Sequence, residues 1–263
     1  DRYIFVVYSL AGGTGSGLGT FLASVIAENP NKKVGLVIIL PSMNESLQAR
    51  INTYEALSEI IEIKNELCSI FILDNNQRED KFSINRSFAN LFEAYINVAK
   101  NTSIRGVIDI AEQKKLLETP GIAMIHKATG TKEDLLSTIN EGIYVSLEPN
   151  KRVKYIGLSQ PDTKDTIDVA DVINVVGEPI DYYCGYGKTE DTVLYLAGLS
   201  FPKTFINKLA ESIKAEQDRV KKVMEDDDLS MDMNINFLAT KPVEKPQKPK
   251  STMRDRLVAS ITK

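Results

Sequence analysis

The sequence predicts an α/β fold: a parallel sheet interleaved with helices up to about residue 101, a second, mixed α/β domain over 102–226, and a disordered C-terminal tail over 227–263. Two observations carry most of this reading. Runs of β-branched and aromatic residues alternate three times with stretches of helical periodicity, the order that gives a parallel sheet with right-handed crossovers. The segment "SLAGGTGSGLGT" (9–20) joins the first of those runs to the first helix, and so many glycines suit a backbone that must approach something closely.

The elements follow in order. "YIFVVYSL" (3–10) is a continuous apolar run of the kind found in a strand buried on both faces, and "LGTFLASVIAEN" after it is helical. "KVGLVIILP" (33–41) is a second buried strand closed by Pro41, followed by a helix from Glu45 to about Glu66 that is apolar at Leu47, Ile51, Tyr54, Leu57 and Ile61. "CSIFILDN" (68–75) is the third strand. Asp80 or Ser83 then suits the cap of a helix running to about Lys100, on which Ile84, Phe88, Leu91, Phe92, Tyr95 and Val98 recur at the helical period. These units make up the first domain, 1–101, with the last helix as its central one.

Beyond Asn101 the character changes. A loop and short helix (102–118) lead to the strand "IAMIHKA", a helix near 131–142, the strand "RVKYIGLS" and a helix near 165–175. "IDYYCGYG" and "TVLYLAGLS" come next, and the polar turn between them, 188–191, predicts neighbouring strands. A long helix after Pro202 carries Phe205, Leu209, Ile213, Val220 and Met224 on one face. The tail contains a proline and lysine linker, "KPVEKPQKPK" (241–250), and a basic amphipathic end, "MRDRLVASITK", which reads equally as a solvated tail or a docking peptide.

Composition narrows the function. A formal charge of −4 gives no electrostatic reason for the body to coat nucleic acid or an anionic membrane, so no direct membrane binding is expected. Cys68 and Cys184 sit in strand-like runs and read as two buried thiols of a reducing compartment. With His126 as the one histidine, no metal site of the His and Cys type is expected. Neither a membrane-spanning run nor a signal peptide is evident, which predicts a cytoplasmic protein. The chain starts at Asp1 without methionine and enters a strand at once, which leads to the expectation that a further portion precedes it.

A glycine loop between a buried strand and a helix aims free amides and the positive helix end at an oxyanion, and phosphate is the natural guest. Thr14 and Ser16 can add hydroxyl donors. The bland alternative is a tight turn, but "GGTGSG" carries more glycine than a turn needs. It lacks the lysine of a P-loop, and neither Asp nor Glu closes the second strand as the dinucleotide fingerprint requires.

"AGGTGSG" resembles the signature loop of the tubulin/FtsZ family. "FILDNNQREDKFSINRSFANLF" followed by "RGVIDIAEQKKLL" resembles its plasmid- and phage-borne branch, the TubZ-type partition GTPases. The resemblance implies a parallel-sheet GTP-binding domain, a central helix and a second mixed α/β domain, with GTP or GDP and Mg²⁺ as cofactors. Gly12, Gly13, Thr14, Gly15, Ser16 and Gly17 would then face the γ-phosphate. Pro41 and Glu45 match the next loop, where a carboxylate reaches the ribose, although Glu45 also reads as an ordinary first-turn acid. Asn85 matches the position that hydrogen-bonds the guanine edge, and Phe82 would pack near the base or act as a helix-start staple. Asp109 and Glu112 match the catalytic acids that enter the pocket of the next subunit; taken alone they read as helix-start acids. The G-x-x-N-x-D asparagine is missing, which leaves open which of the two dominates. The family also builds half its pocket from strands that would stand upstream of Asp1.

The implied function is a GTPase that polymerises head to tail and moves plasmid or phage DNA, its tail engaging a DNA-bound adaptor protein. Two other classes stay open: a non-hydrolysing scaffold or regulator of filament assembly, and a dinucleotide-dependent oxidoreductase using His126.

Overall fold

A computed structural model describes residues 2–162 and 167–226. The chain divides into a compact unit, 1–213, and a second unit from residue 214 onward. The expected tail, 227–263, lies outside the described residues.

The first unit is built on one seven-stranded sheet. Its strands are β1 (Tyr3–Ser9), β2 (Lys33–Leu40), β3 (Ser69–Asp74), β4 (Gly121–Ala128), β5 (Tyr155–Pro161), β6 (Asp181–Gly187) and β7 (Thr192–Leu199), in the spatial order β1-β2-β3-β4-β7-β5-β6. The first four pair parallel; β7 runs antiparallel to both β4 and β5, and β5 pairs parallel with β6. The helices are α1 (Gly13–Ala27), α2 (Leu47–Ile63), α3 (Lys81–Val98), α4 (Ile110–Glu118), α5 (Lys132–Asn140), α6 (Val169–Val176) and α7 (Lys203–Asp226).

The repeating strand–helix order works as periodicity predicts. β3 is buried at every position and β2 at most, the condition for strands covered on both faces. Asp80 is the cap of α3, its carboxylate accepting the Phe82 amide at 2.9 Å. α3 lies across the sheet on aromatic residues: Phe71 meets Phe88 at 5.1 Å and Phe92 at 5.9 Å between ring centroids, and Tyr95 meets Tyr195 at 4.3 Å. Such tilted and edge contacts favour one seating of a helix over others.

Four expectations need correction. α1 begins at Gly13, so the glycine segment is the first helical turn rather than a loop before Leu18. β6 and β7 are not neighbours: β5 lies between them, because β7 is buried throughout and fits a central position, whereas β6 alternates and takes the edge. Cys184, on that edge strand, is exposed; Cys68 is buried, and both are free thiols. The buried face of α2 is Ala49, Thr53, Ala56, Leu57 and Ile60, with Tyr54 at 40% exposure, because small residues seat this helix closely.

α7 starts in the first unit with Leu209 fully buried and Phe205 and Ile213 packed against the core. In the second unit Met224 is exposed. No helix of the described residues is long and apolar enough to cross a membrane.

Candidate functional site

Three parallel strands end at one level. Ser9 pairs with Ile39, and Leu40 with Asp74, so the segments that follow β1, β2 and β3 leave the sheet side by side. In open α/β sheets the carboxyl ends of the strands are where ligands bind.

At the end of β1, Gly12 caps α1 in an extended conformation without any side-chain hydrogen bond, and no acid lies in the first turn. Helices α2 to α6 all begin with Ser, Asp or Thr caps whose side chains take an amide. The amino end of α1 alone among these keeps its amides unclaimed by a side chain. The space above it is open: a Cβ on Gly12 or Gly13 would meet nothing within 4 Å, whereas one on Gly15 would fall 2.4 Å from the Ser9 carbonyl oxygen. Gly15 thus lets the helix sit tightly on the strand end, and Gly12 and Gly13 leave room for a guest. Thr14 is exposed. The Ser16 hydroxyl donates to Gly12 O at 2.8 Å and lies against Gly13 O at 3.2 Å, so it secures the turn from within.

The three segments are braced by asparagines. Asn52 on α2 donates to Ala11 O at 3.0 Å, holding the entry to the glycine turn. Asn76, after β3, accepts from the Met43 amide at 2.7 Å and donates to Pro41 O at 3.2 Å, tying the segment at Pro41 to the end of β3. Glu45 accepts from the Ser42 amide at 3.2 Å and is paired with Lys81 at 2.7 Å, which brings the first turn of α3 alongside. Phe82, at 79% exposure, and the exposed Asn85 follow on α3. The structure therefore gathers the glycine turn, Pro41, Glu45, Phe82 and Asn85 at one end of the sheet.

Sequence reasoning passed over Asn52, Asn75 and Asn76. Asn75 follows β3 directly, and its Oδ1 is buried without a hydrogen-bond partner, the mark of a group awaiting a donor. An asparagine inside α2, where propensity disfavours it, was a usable signal for Asn52.

Asp109 and Glu112 lie elsewhere. The 18 residues of α3 span roughly 27 Å, and the acids sit past its far end, at the start of α4. Asp109 accepts the Glu112 amide at 2.8 Å and Glu112 accepts the Asp109 amide at 3.0 Å, a capping box that uses one oxygen of each carboxylate. The loop before them is pinned to the second half of the sheet. Tyr186 donates its amide to Gly106 O, Arg105 stacks over the Tyr186 ring at 3.9 Å, and Ser103 donates to Asp162 at 2.6 Å. Within one chain the acids do not meet the glycine turn. His126, in β4, is 2% exposed, and burial lowers its pKa to about 4 against a backbone hydrogen bond with Thr138, so it is neutral near pH 7.

Known proteins share this sequence pattern and this fold. Residues 1–81 match the family described as the Tubulin/FtsZ family, GTPase domain. The chain is 31% identical over 246 residues to the tubulin-like protein TubZ of Clostridium botulinum C phage, an alignment covering 91% of this chain and 66% of that protein, just under two thirds of its length. The crystal structure of Clostridium botulinum phage c-st TubZ superimposes with a TM-score of 0.75 at 26% identity, covering 83% of this chain and 73% of that one. GDP-form protofilaments of Bacillus thuringiensis serovar israelensis TubZ share the fold, with a TM-score of 0.72 at 19% identity over 85% of this chain and 68% of that one. A sheet ending in an uncapped glycine turn, a match to the GTPase domain over residues 1–81 and relatives of the same fold agree: the chain is similar to the tubulin/FtsZ family and, within it, to the TubZ-type tubulins.

Proposed function

We propose that this chain carries part of a GTP site at the carboxyl ends of β1 to β3, and that hydrolysis requires a second copy, docked head to tail, to bring Asp109 and Glu112 to it. The observation that carries the reading is a separation within the chain: an open, uncapped amino end of α1 at one pole and a pair of carboxylates one α3 length away. Phosphoryl transfer needs an aligned water and stabilised charge rather than covalent chemistry, so two halves on two subunits suffice once they are aligned.

In this reading the amides of Gly12, Gly13, Thr14 and Gly15 receive the γ-phosphate oxygens, with Ser16 and Gly17 shaping the turn. Glu45, beside Pro41, serves the ribose hydroxyls, Asn85 and the unsatisfied Asn75 the guanine edge, and Phe82 the base face. Mg²⁺ is a hard cation that triphosphates bring with them, and it belongs beside the phosphates. The second oxygens of Asp109 and Glu112, outside the capping box, orient the attacking water of the neighbour. Contacts of this heterologous kind that do not close a ring build an open filament. The tail then serves a DNA-bound adaptor, so that filament turnover moves plasmid or phage DNA inside the cell.

Sedimentation of the full-length protein with GTP, with GDP and without nucleotide tests this. Polymer that needs GTP and dissolves as GTP is consumed is the expected result. Nucleotide-independent polymer would favour the scaffold reading, for which one fact speaks: the capping box already gives both acids a structural task. Removing 240–263 is expected to abolish adaptor binding and spare GTP turnover.

A further inference from the structure

α4 is nine residues long, too short to hold its own place, and it is anchored at several points to the first half of the sheet. At its far end Glu118 accepts from Tyr3 Oη at 2.5 Å and lies 3.6 Å from both Arg2 and Lys33. Just before that, Leu117 O accepts from Ser69 Oγ at 2.8 Å, and Ser69 is itself bonded to Tyr195 Oη at 2.7 Å.

The anchor nearest the acids is Gln113. Its amide donates to Asp109 O at 2.9 Å, and its side chain leaves α4 for the end of α3, where Nε2 donates to Tyr95 O at 2.5 Å. Ile96 O lies 3.4 Å from the same nitrogen. These are last-turn carbonyls of α3; the Ala99 and Lys100 amides that follow both turn to Asn97 O. Orphan carbonyls at a helix end need an outside donor, and Gln113 supplies it. The contact is reciprocal, for Tyr95 Oη donates back to Gln113 O at 2.6 Å. Tyr95 is 3% exposed and packed at a tilt against the Tyr195 ring, and burial holds its hydroxyl protonated, hence always a donor.

We infer that Gln113, paired with Tyr95, is the positioning residue of the acidic tip, fixing Asp109 and Glu112 to the end of α3 so that they arrive aligned at a neighbour's GTP. The inference rests on the proposed trans action of those acids. A shift near 1 Å in a catalytic group can cost about 10²-fold. Loss of the clamp therefore lowers turnover within polymer without changing how GTP is bound or how much polymer forms.

Gln113→Met keeps length and loses the donor; Tyr95→Phe keeps the ring and loses the hydroxyl. Full-length variants are assayed for GTP turnover per polymerised subunit, GTP half-saturation and polymer yield, each also combined with Asp109→Asn and with Glu112→Gln. The expected result is a fall of about tenfold or more in turnover, half-saturation and yield within twofold of the parent, and little further loss in the combined variants, since residues acting as one unit do not add. Parent-like turnover in Gln113→Met and Tyr95→Phe, beside impaired Asp109→Asn or Glu112→Gln, overturns the positioning role and leaves the trans-acting acids standing. Full additivity, or a loss confined to polymer yield, overturns it too, as a merely structural clamp. If Gln113→Met fails to fold, Tyr95→Phe alone decides. Parent-like turnover in Asp109→Asn and Glu112→Gln removes the trans reading itself, and this inference falls with it.

Discussion

Replacing Gly13 by alanine separates folding from ligand binding. Gly13 is the first residue of α1, its φ is not positive, and a Cβ there meets nothing within 4 Å. The fold therefore offers no steric objection. Alanine loses less backbone entropy than glycine on folding and is the better helix former, which together stabilise by up to about 1 kcal/mol. In a protein of this size that corresponds to a rise of up to about 2–4 °C in the melting midpoint. The same methyl group, however, stands in the open space over the α1 amides, where the proposed site seats a phosphate oxygen. Thermal unfolding together with titration of a fluorescent GTP analogue reads both effects. The expected result is an unchanged or higher midpoint with affinity lowered tenfold or more, about 1.4 kcal/mol of binding. Gly15→Ala provides the contrast: its methyl would fall 2.4 Å from the Ser9 carbonyl oxygen, so it is expected to destabilise by about 1–3 kcal/mol. Parent-like affinity in Gly13→Ala would refute the placement of phosphate at this helix end. A drop in its midpoint of several degrees would refute the steric argument.

Two further outcomes follow from particular residues. Asp109→Asn keeps a good helix cap and removes the charge, so stability should stay within about 0.5 kcal/mol, whereas Asp109→Ala loses the cap and about 1 kcal/mol; both should lower turnover in polymer by about 10²-fold or more, as loss of a group that handles the attacking water does. Urea denaturation and GTPase assays on the pair check this, and a turnover loss only in the alanine variant would assign Asp109 a purely structural role. His126 has a folded pKa of about 4 against 6.5 when unfolded, because burial disfavours its charge. Between those values the unfolded chain binds the proton and the folded one does not, so stability falls as pH drops from 6.5 to 4, by about 1.4 kcal/mol per unit. His126→Leu should flatten that part of the stability curve measured by denaturant titration, and an unchanged slope would contradict the burial argument.

Where the sequence was legible, local periodicity decided the structure. β1 to β3 and α1 to α3 were readable because strands buried on both faces and helices with one apolar face leave different patterns over short windows. The sheet order beyond β4 was not, since the turn at 188–191 suggests that β6 pairs with β7. The actual choice depends on burial of the whole sheet: "TVLYLAGL" is apolar throughout and takes the centre, and "DYYCGYG" is half polar and takes the edge. The glycine turn announced itself by composition. The asparagines that brace the strand ends did not, because Asn52 and Ala11 are 41 residues apart and Asn76 and Met43 are 33 apart, contacts that only the tertiary fold creates. Asp109 and Glu112 were visible in two readings, as a D-x-x-E helix start and as a match to the family's acids. The structure shows the capping box, and the proposed catalytic role requires a neighbouring subunit.

GTP turnover per molecule, measured for the full-length protein across a series of concentrations, tests the split site most directly. If the acids act only across a junction, turnover is expected to stay near zero up to a threshold concentration and to rise steeply once polymer can be pelleted. A rate per molecule that is flat through that threshold would contradict it, because one subunit would then be hydrolysing GTP with its own residues.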